Sequence, residues 1–489
     1  MRRPRLTLAL TISIGVFQAA LAVAAESPKP EAPVAIGSRR ELFVDDLLIG
    51  QLQNARLVLH HPRDEGTVLK FDNPWEGLFC GYCTVIRDGE LYRMYYRGNP
   101  QAGRDGSPSE VTCYAHSPDG RQWTKPDLGL FEVMGTRKNN VVLARMAPLS
   151  HNFCPFLDSR PGVTASQRYK ALAGTNQSGL VALVSADGLR WQKLQDKPAI
   201  TGGAFDSQNV AFWSEAEQCY LCYFRSWADG VRRISRTTSK DFLQWDPAVM
   251  MQYRRLGGEA PIEHLYTNQT QPYFRAPHLY LATAARFLPG RQAISDQEAK
   301  RIGVSPGYFR DLSETVLLSS RGGGSYDRTF LEGFVRPGIG PENWVSRTNY
   351  AVLNIVQTGP HEMSLYVNQN YAQPTSHIRR YSLRLDAVAS VEAPYQGGEL
   401  ITKPLSFAGK KLLVNFATSA AGGIRVEIQD AAGKPIPGYA LKDARELIGN
   451  EIERAVAWSG GEDVGGLAGR PVHLRFVMKD ADLYALRFQ

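Results

Sequence analysis

The sequence predicts an all-β chain: a five-bladed β-propeller followed by a C-terminal β-sandwich. Three observations carry this prediction. A turn pattern recurs as SPDGRQW (Ser117 to Trp123), SADGLRW (Ser185 to Trp191) and SKDFLQW (Ser239 to Trp245), each with Ser, then Asp two residues on, then Trp six residues on. Around these turns the chain five times gives a strand led by polar residues, a turn, and a second aromatic strand. From Ala393 the texture changes to shorter alternating strands with Gly and Lys turns and no Ser-x-Asp unit.

Taken in order, the chain opens with MRRPRLTLALTISIGVFQAALAVAAES: three arginines, an apolar run from Leu6 to Leu21, then small residues suited to cleavage after Ala24 or Ala25. That is the form of a secretory signal over residues 1–25. The polar, Pro-rich residues that follow make a linker over 26–38, and no later segment has the ~20 apolar residues of a membrane helix. The expectation is an exported chain, periplasmic or extracellular, without stable membrane insertion. Loss of Arg2, Arg3 and Arg5 takes the formal net charge from +8 to +5. The excess is compatible with an anionic carbohydrate, and its arginines are too scattered to form a nucleic-acid stripe.

The propeller is expected over residues 39–392. Ser and Asp side chains bond turn amides, Gly supplies positive φ, and Trp packs back across the outer strand, so each copy of the pattern is a hairpin. One hairpin per ~50 to 80 residues implies one small sheet per repeat, which is how propellers are built. The five units begin near GLFCGYC, NFCPFL, FDSQNV, YTNQTQ and SRTNYAV, and SSRGGGSY at Ser319 to Tyr326 reads as a worn fourth turn. Helical periodicity is nearly absent outside SDQEAKRIG. The β-sandwich is expected over 393–489. Six cysteines, two pairs of them as CGYC and CYLC, lie within aromatic strand-like runs and lack ligand-spaced histidines. They read as buried thiols or one or two disulfides rather than a zinc site, and neither a metal nor another cofactor is expected.

In a propeller, the leading ends of the innermost strands converge at one mouth of the channel. Candidates at such positions are Asp206 in the third unit, Glu76 beside Trp75 in the first, and Glu263, His264 and Asn268 before the fourth. Glu332, Arg336 and Arg347 precede the fifth, and Asp45 and Asp46 lie on a short strand placed to close the ring beside the last blade. Carboxylates from several blades around one pit, with Trp and Tyr beside them, suit glycoside hydrolysis: one acid protonates the leaving oxygen while a second attacks or activates water. The competing reading of each carboxylate is an ordinary turn or surface residue, and Asp119, Asp187 and Asp241 are read that way.

At this point the chain resembles the five-bladed propeller glycoside hydrolases of families 32 and 43, on NPWEGLFCGYCTVIRDGELYRMYYRGNP and FDSQNVAFW. It is also similar to exported family-32-like bacterial proteins that open with RELFVDD. The resemblance implies Asp206 as the transition-state-stabilising carboxylate, Glu263 as the general acid and Glu76 as nucleophile or base. Their place beside the last blade makes Asp45 or Asp46 the fallback for that last role. The separations of 130 and 57 residues between Glu76, Asp206 and Glu263 are similar to the family's. The motifs depart from it: no Asn-Asp-Pro-Asn is present, Asp206 is followed by Ser rather than Pro, and Glu263 by His rather than Cys. The expectation is a glycosidase acting on a furanoside or an unusual terminal sugar. The alternative is a glycan-binding propeller without catalysis.

Overall fold

The computed structural model describes residues 32–101 and 105–489, so the expected signal segment lies outside the described residues. Residues 33–489 form one compact unit. It is nearly all β: five small, largely antiparallel sheets in a propeller-like arrangement, and one ten-stranded sheet. The one α-helix among the described residues, Asp296–Arg301, falls in the SDQEAKRIG segment, with the Ser295 side chain accepting from the Glu298 amide.

The small sheets follow the sequence units. The innermost strand of the first is Gly81–Asp88, of the second Cys154–Leu157 and of the third Val210–Ser214. Thr270–Tyr273 serves the fourth, and the two short strands Tyr350–Ala351 and Val356–Gln357 the fifth. Each touches the next in turn, and the fifth returns to the first through Val356–Gln357 and a parallel bridge between Thr84 and Leu353. The Ser-x-Asp turns do the work the sequence assigns to them. Asp119 accepts the amides of Arg121 and Gln122, Ser117 accepts that of Gly120, and the same set recurs at Ser185 with Asp187 and at Ser239 with Asp241. Burial raises the Asp187 pKa, and the Arg190 and Leu189 amides outweigh it, bringing the carboxyl down to about 2. Trp123, Trp191 and Trp245 pack against three separate small-sheet cores.

The fifth small sheet is completed from far away. Its outer strand is Arg63–Lys70, which pairs with His377–Arg384. Asp45 and Asp46, expected on a ring-closing strand, instead lie in a bend outside any strand. Asp45 is buried there and binds Arg321, at 2.7 Å between Oδ2 and Nε, in the hairpin of the fourth sheet.

The ten-stranded sheet holds the C-terminal strands from Ala389–Ala393 to Val472–Phe488 together with four strands from the start of the unit. Val34–Gly37 pairs with Leu405–Phe407, Glu41–Leu42 with Val472–Phe488, Ile49–Gln53 with Gly398–Thr402, and Arg56–Leu59 with Ala389–Ala393. Residues 34–59, expected partly as linker and partly as propeller, thus belong to the C-terminal sheet. One core fills it, with Phe43, Phe416, Trp458 and Phe476 sealed from solvent and Phe407 stacked on Phe488 at 3.7 Å. All six cysteines are buried and unpaired. No described helix is long and apolar enough to cross a membrane.

Candidate functional site

A small recess opens where the leading ends of the inner strands meet. The first sheet lines it with Tyr82 and Arg97, the fourth with Thr267 and Gln269, and the fifth with Arg347, Tyr350, Asn368 and Tyr371. The backbone is bent to serve it: Tyr82, Gln269 and Arg347, none of them glycine, take left-handed φ values of 50°, 45° and 59°. At Tyr82 the pairing with the neighbouring strand slips between Gly81 and Thr84, the bulge that turns this ring out of the ladder.

The third sheet supplies the adjoining wall through a long hairpin, Cys219–Ala228 and Val231–Ser239, closed by a two-residue Asp-Gly turn. Arg225 and Trp227 share one face by strand alternation, and the register sets Arg232 opposite Trp227. Arg225 ion-pairs with Asp206, and the Tyr82 hydroxyl donates to the Asp206 carbonyl at 3.1 Å. Trp227 is exposed, and the Arg232 guanidinium lies 4.6 Å from its ring centre.

On the other side of Tyr82, Arg97 sits 4.6 Å from the ring centre and faces Asp105 at 3.6 Å and Glu110 at 3.7 Å. His151 Nδ1 lies 3.0 Å from both oxygens of the buried Glu110. Asp105, Glu110 and His151 are close enough together to hold a metal ion. The Arg97 guanidinium already supplies positive charge to both carboxylates.

Polar atoms without partners gather here. The Tyr350 hydroxyl, Thr267 Oγ1, Gln269 Oε1, Asn152 Oδ1, Asn209 Oδ1 and His151 Nε2 are all buried and unbonded. Buried polar groups are nearly always satisfied, so their concentration at one mouth marks a place shaped for a polar ligand and its water.

The sequence-predicted residues fall in separate surroundings. Arg347 lines the recess, Asp206 adjoins it through the Tyr82 hydroxyl, and His264 touches Arg232 at the hairpin. Glu76 does not border it. It is fully buried under the first sheet, taking the Asn73 amide and Lys125 Nζ on Oε2 and the Tyr96 hydroxyl on Oε1, which leaves no room for a substrate. Trp75 is likewise core, donating to Asn140, and Asn268 spends its amide on Thr270 and Tyr223. Glu263 is clamped between Arg286 at 2.7 Å and Arg328 at 3.0 Å, away from the recess. Arg336 lies near it in a separate groove with Arg286 and Trp344, and Glu332 is exposed. Glu76, Asp206 and Glu263 share no contact residue, so the expected triad is not assembled.

The residues missed in the sequence are Tyr82, Arg97, Asp105, Glu110, Arg225, Trp227, Arg232, Tyr266, Tyr350 and Tyr371. For the hairpin a signal existed: in CYFRSWADGVRR the period-two alternation and the Asp-Gly turn place Arg225, Trp227 and Arg232 together.

No family model matches the chain, and no curated protein matches it. Among solved structures it is similar to a glycoside hydrolase at 11% identity and TM-score 0.43, over 66% of this chain and 92% of that one. It is similar to an N-acetylgalactosamine deacetylase from F. plautii in complex with blood group B trisaccharide at 12% identity and TM-score 0.44, over 68% and 97%. It is also similar to a fructofuranosidase variant from Schwanniomyces occidentalis complexed with fructosylnystose at 12% identity and TM-score 0.33, over 91% and 99%. At these identities and TM-scores the likeness fixes neither activity nor substrate.

Proposed function

We propose that this is an exported glycoside hydrolase that takes the terminal sugar of a polysaccharide or oligosaccharide into the recess. In this reading the five small sheets are five blades around one channel, with the C-terminal sheet folded as a sandwich beside them. The single observation that carries it is the recess itself: tyrosines from the first and fifth sheets, an exposed Trp on the adjoining hairpin, unpaired buried polar atoms inside, and carboxylates on both sides of Tyr82. Aromatic faces suit sugar rings, unpaired donors and acceptors suit hydroxyls, and a closed recess suits a chain end.

Of the acidic groups there, Asp206 and Asp105 keep about half of their side-chain surface open, at 43% and 51%, whereas Glu110 is sealed. Asp206 and Asp105 are therefore the pair assigned to the chemistry. One protonates the leaving oxygen, and the other attacks the anomeric carbon or activates water. Arg225 and Arg97 fix their positions, and Glu110 with His151 holds Arg97.

The test is reducing-sugar release by the purified protein across plant, algal and bacterial polysaccharides and synthetic furanosides, with Asp206→Asn and Asp105→Asn alongside. Release by the wild type that falls by roughly two to four orders of magnitude in both variants supports the assignment. Sugar binding without release in the wild type would instead make this a glycan-binding propeller.

A further inference from the structure

We propose that the sugar taken by this recess carries an oxyanion, a carboxylate or a sulfate ester, and that Arg225, Arg232 and Arg347 receive it. The inference rests on the carbohydrate reading above and names the substrate class for that site.

Three guanidiniums from separate pieces of chain converge on one ring. Arg225 and Arg232 each lie 4.9 Å from the centre of Tyr266, and Arg347 lies 5.8 Å from it. Among the described residues the only carboxylate paired to any of the three is Asp206, on Arg225. Arg232 and Arg347 make no ion pair with any described residue. Half-buried Arg160, Arg233 and Arg384 likewise make no ion pair with a described residue, so what sets this place apart is three guanidiniums on one ring. The six least exposed arginines each face a carboxylate: Arg40 with Asp386, Arg97 with Glu110, Arg225 with Asp206, Arg236 with Glu217, Arg328 with Glu263, and Arg380 with Glu362.

Like charges packed together and half-removed from water destabilise a fold unless something answers them. The electrostatics agree at Arg232, whereas the tyrosines around Arg347 hold its guanidinium above its ordinary value against the effect of burial. Burial holds Arg232 below its ordinary value with Arg225 and Arg347 adding to the effect, and the three guanidiniums bring the Tyr266 hydroxyl below an ordinary phenol despite its burial. Nε of Arg225 and of Arg232 are buried donors without acceptors, and the Tyr350 hydroxyl beside Tyr266 is also unbonded. Arg347 is held at its place by a left-handed backbone, its guanidinium resting on the rings of Tyr266 and Tyr308.

Charge, free donors and planar forks are what a carboxylate or sulfate requires. Trp227, exposed above Arg232, offers a face to the sugar that bears it. The set gathers on the one Tyr266 ring, so the ligand is a single charged group on a chain end rather than a run of phosphates.

The experiment is calorimetric titration of the full chain with matched sugars: methyl glucuronide against methyl glucoside, galacturonate against galactose, and glucose 6-sulfate against glucose. Arg232→Gln and Arg347→Gln are titrated beside the wild type, with folding checked by circular dichroism. The anionic member of at least one pair is expected to bind about tenfold or more tighter than its neutral partner, less tightly at high salt, and to lose that advantage in both variants. Whether the uronates or the sulfate show the advantage identifies the group. Both variants are also expected to melt no lower than the wild type, because each removes an unanswered charge. Neutral and anionic sugars binding alike would overturn the oxyanion inference and leave the carbohydrate reading standing. Binding of none of them would overturn both. Variants that lose several degrees of melting temperature would show the guanidiniums to be structural and overturn the inference by a second route.

Discussion

Glu76 looks catalytic in the sequence and structural in the fold, and Glu76→Gln separates the two. In the structure Oε2 accepts the Asn73 amide and Lys125 Nζ, both at 2.8 Å, while Oε1 accepts the Tyr96 hydroxyl at 2.7 Å. A glutamine must put its NH₂ on one of these sides. On the first it meets two donors. On the second it meets a tyrosine whose oxygen is already accepting from Asn140 Nδ2 at 2.8 Å. The substitution also strips Lys125 of its buried partner. Breaking a buried pair costs about 3 to 5 kcal/mol, and the lower end applies because Lys125 keeps Asp72 at 2.9 Å. A loss of about 3 kcal/mol is therefore expected, read as a lower midpoint in urea. Glycosidase activity per folded molecule should change by no more than about twofold, since Glu76 touches nothing in the recess. An unchanged urea midpoint together with a roughly hundredfold loss of activity would refute the reasoning and return Glu76 to the chemistry.

Further outcomes follow from other parts of the molecule. Burial, with Asp45 and Asp46 close by, pushes Asp327 up to about 6, so the native state holds this proton more tightly than the unfolded chain does. That contribution is full below about pH 4 and is lost as pH rises to about 6, so the melting temperature of Asp327→Asn relative to wild type should climb over that interval, and a pH-independent difference would exclude the effect. The six thiols are buried, and burial pushes Cys154 up to about 11, so a thiol reagent at pH 8 should titrate none in the native protein and all six after denaturation; fast native reaction would place a thiol at the surface. Residues 393–489 expressed alone should remain unfolded, because four strands of their sheet come from residues 34–59; a cooperative melt of that fragment would contradict the pairing. Trp458 fills the core of the same sheet and donates to the Val426 carbonyl at 2.8 Å, so Trp458→Ala should cost about 3 to 5 kcal/mol in denaturant titration while leaving the distant recess intact.

The strands and turns were legible because their causes are local. Alternation of Val, Tyr and Phe, and a Ser and an Asp placed to cap three turn amides, announce themselves within a dozen residues. The site was legible only in part. Asp206 and Arg347 stand at leading ends of inner strands, where the repeat places them. Glu76 and Glu263 occupy comparable positions, yet their partners Lys125, Arg286 and Arg328 lie 23 to 65 residues away and no spacing rule links them. Whether a carboxylate is a reagent or half of a buried pair is decided by what the fold brings against it. The strands of residues 34–59 were misassigned for the same reason: a short alternating strand carries no mark of the sheet it will join.

The pairing of Arg63–Lys70 with His377–Arg384 joins segments more than 300 residues apart, and Val34–Gly37 waits still longer for Leu405–Phe407. A ring fastened by its first strand cannot be finished until its last is present, so no part of the recess, whose walls come from both ends of that ring, takes shape early in synthesis. Loop-closure entropy must be met before these contacts return anything, which makes completion a late and slow event. The site is therefore completed only when the ring closes, and fragments truncated at either end should lose the recess rather than retain part of it.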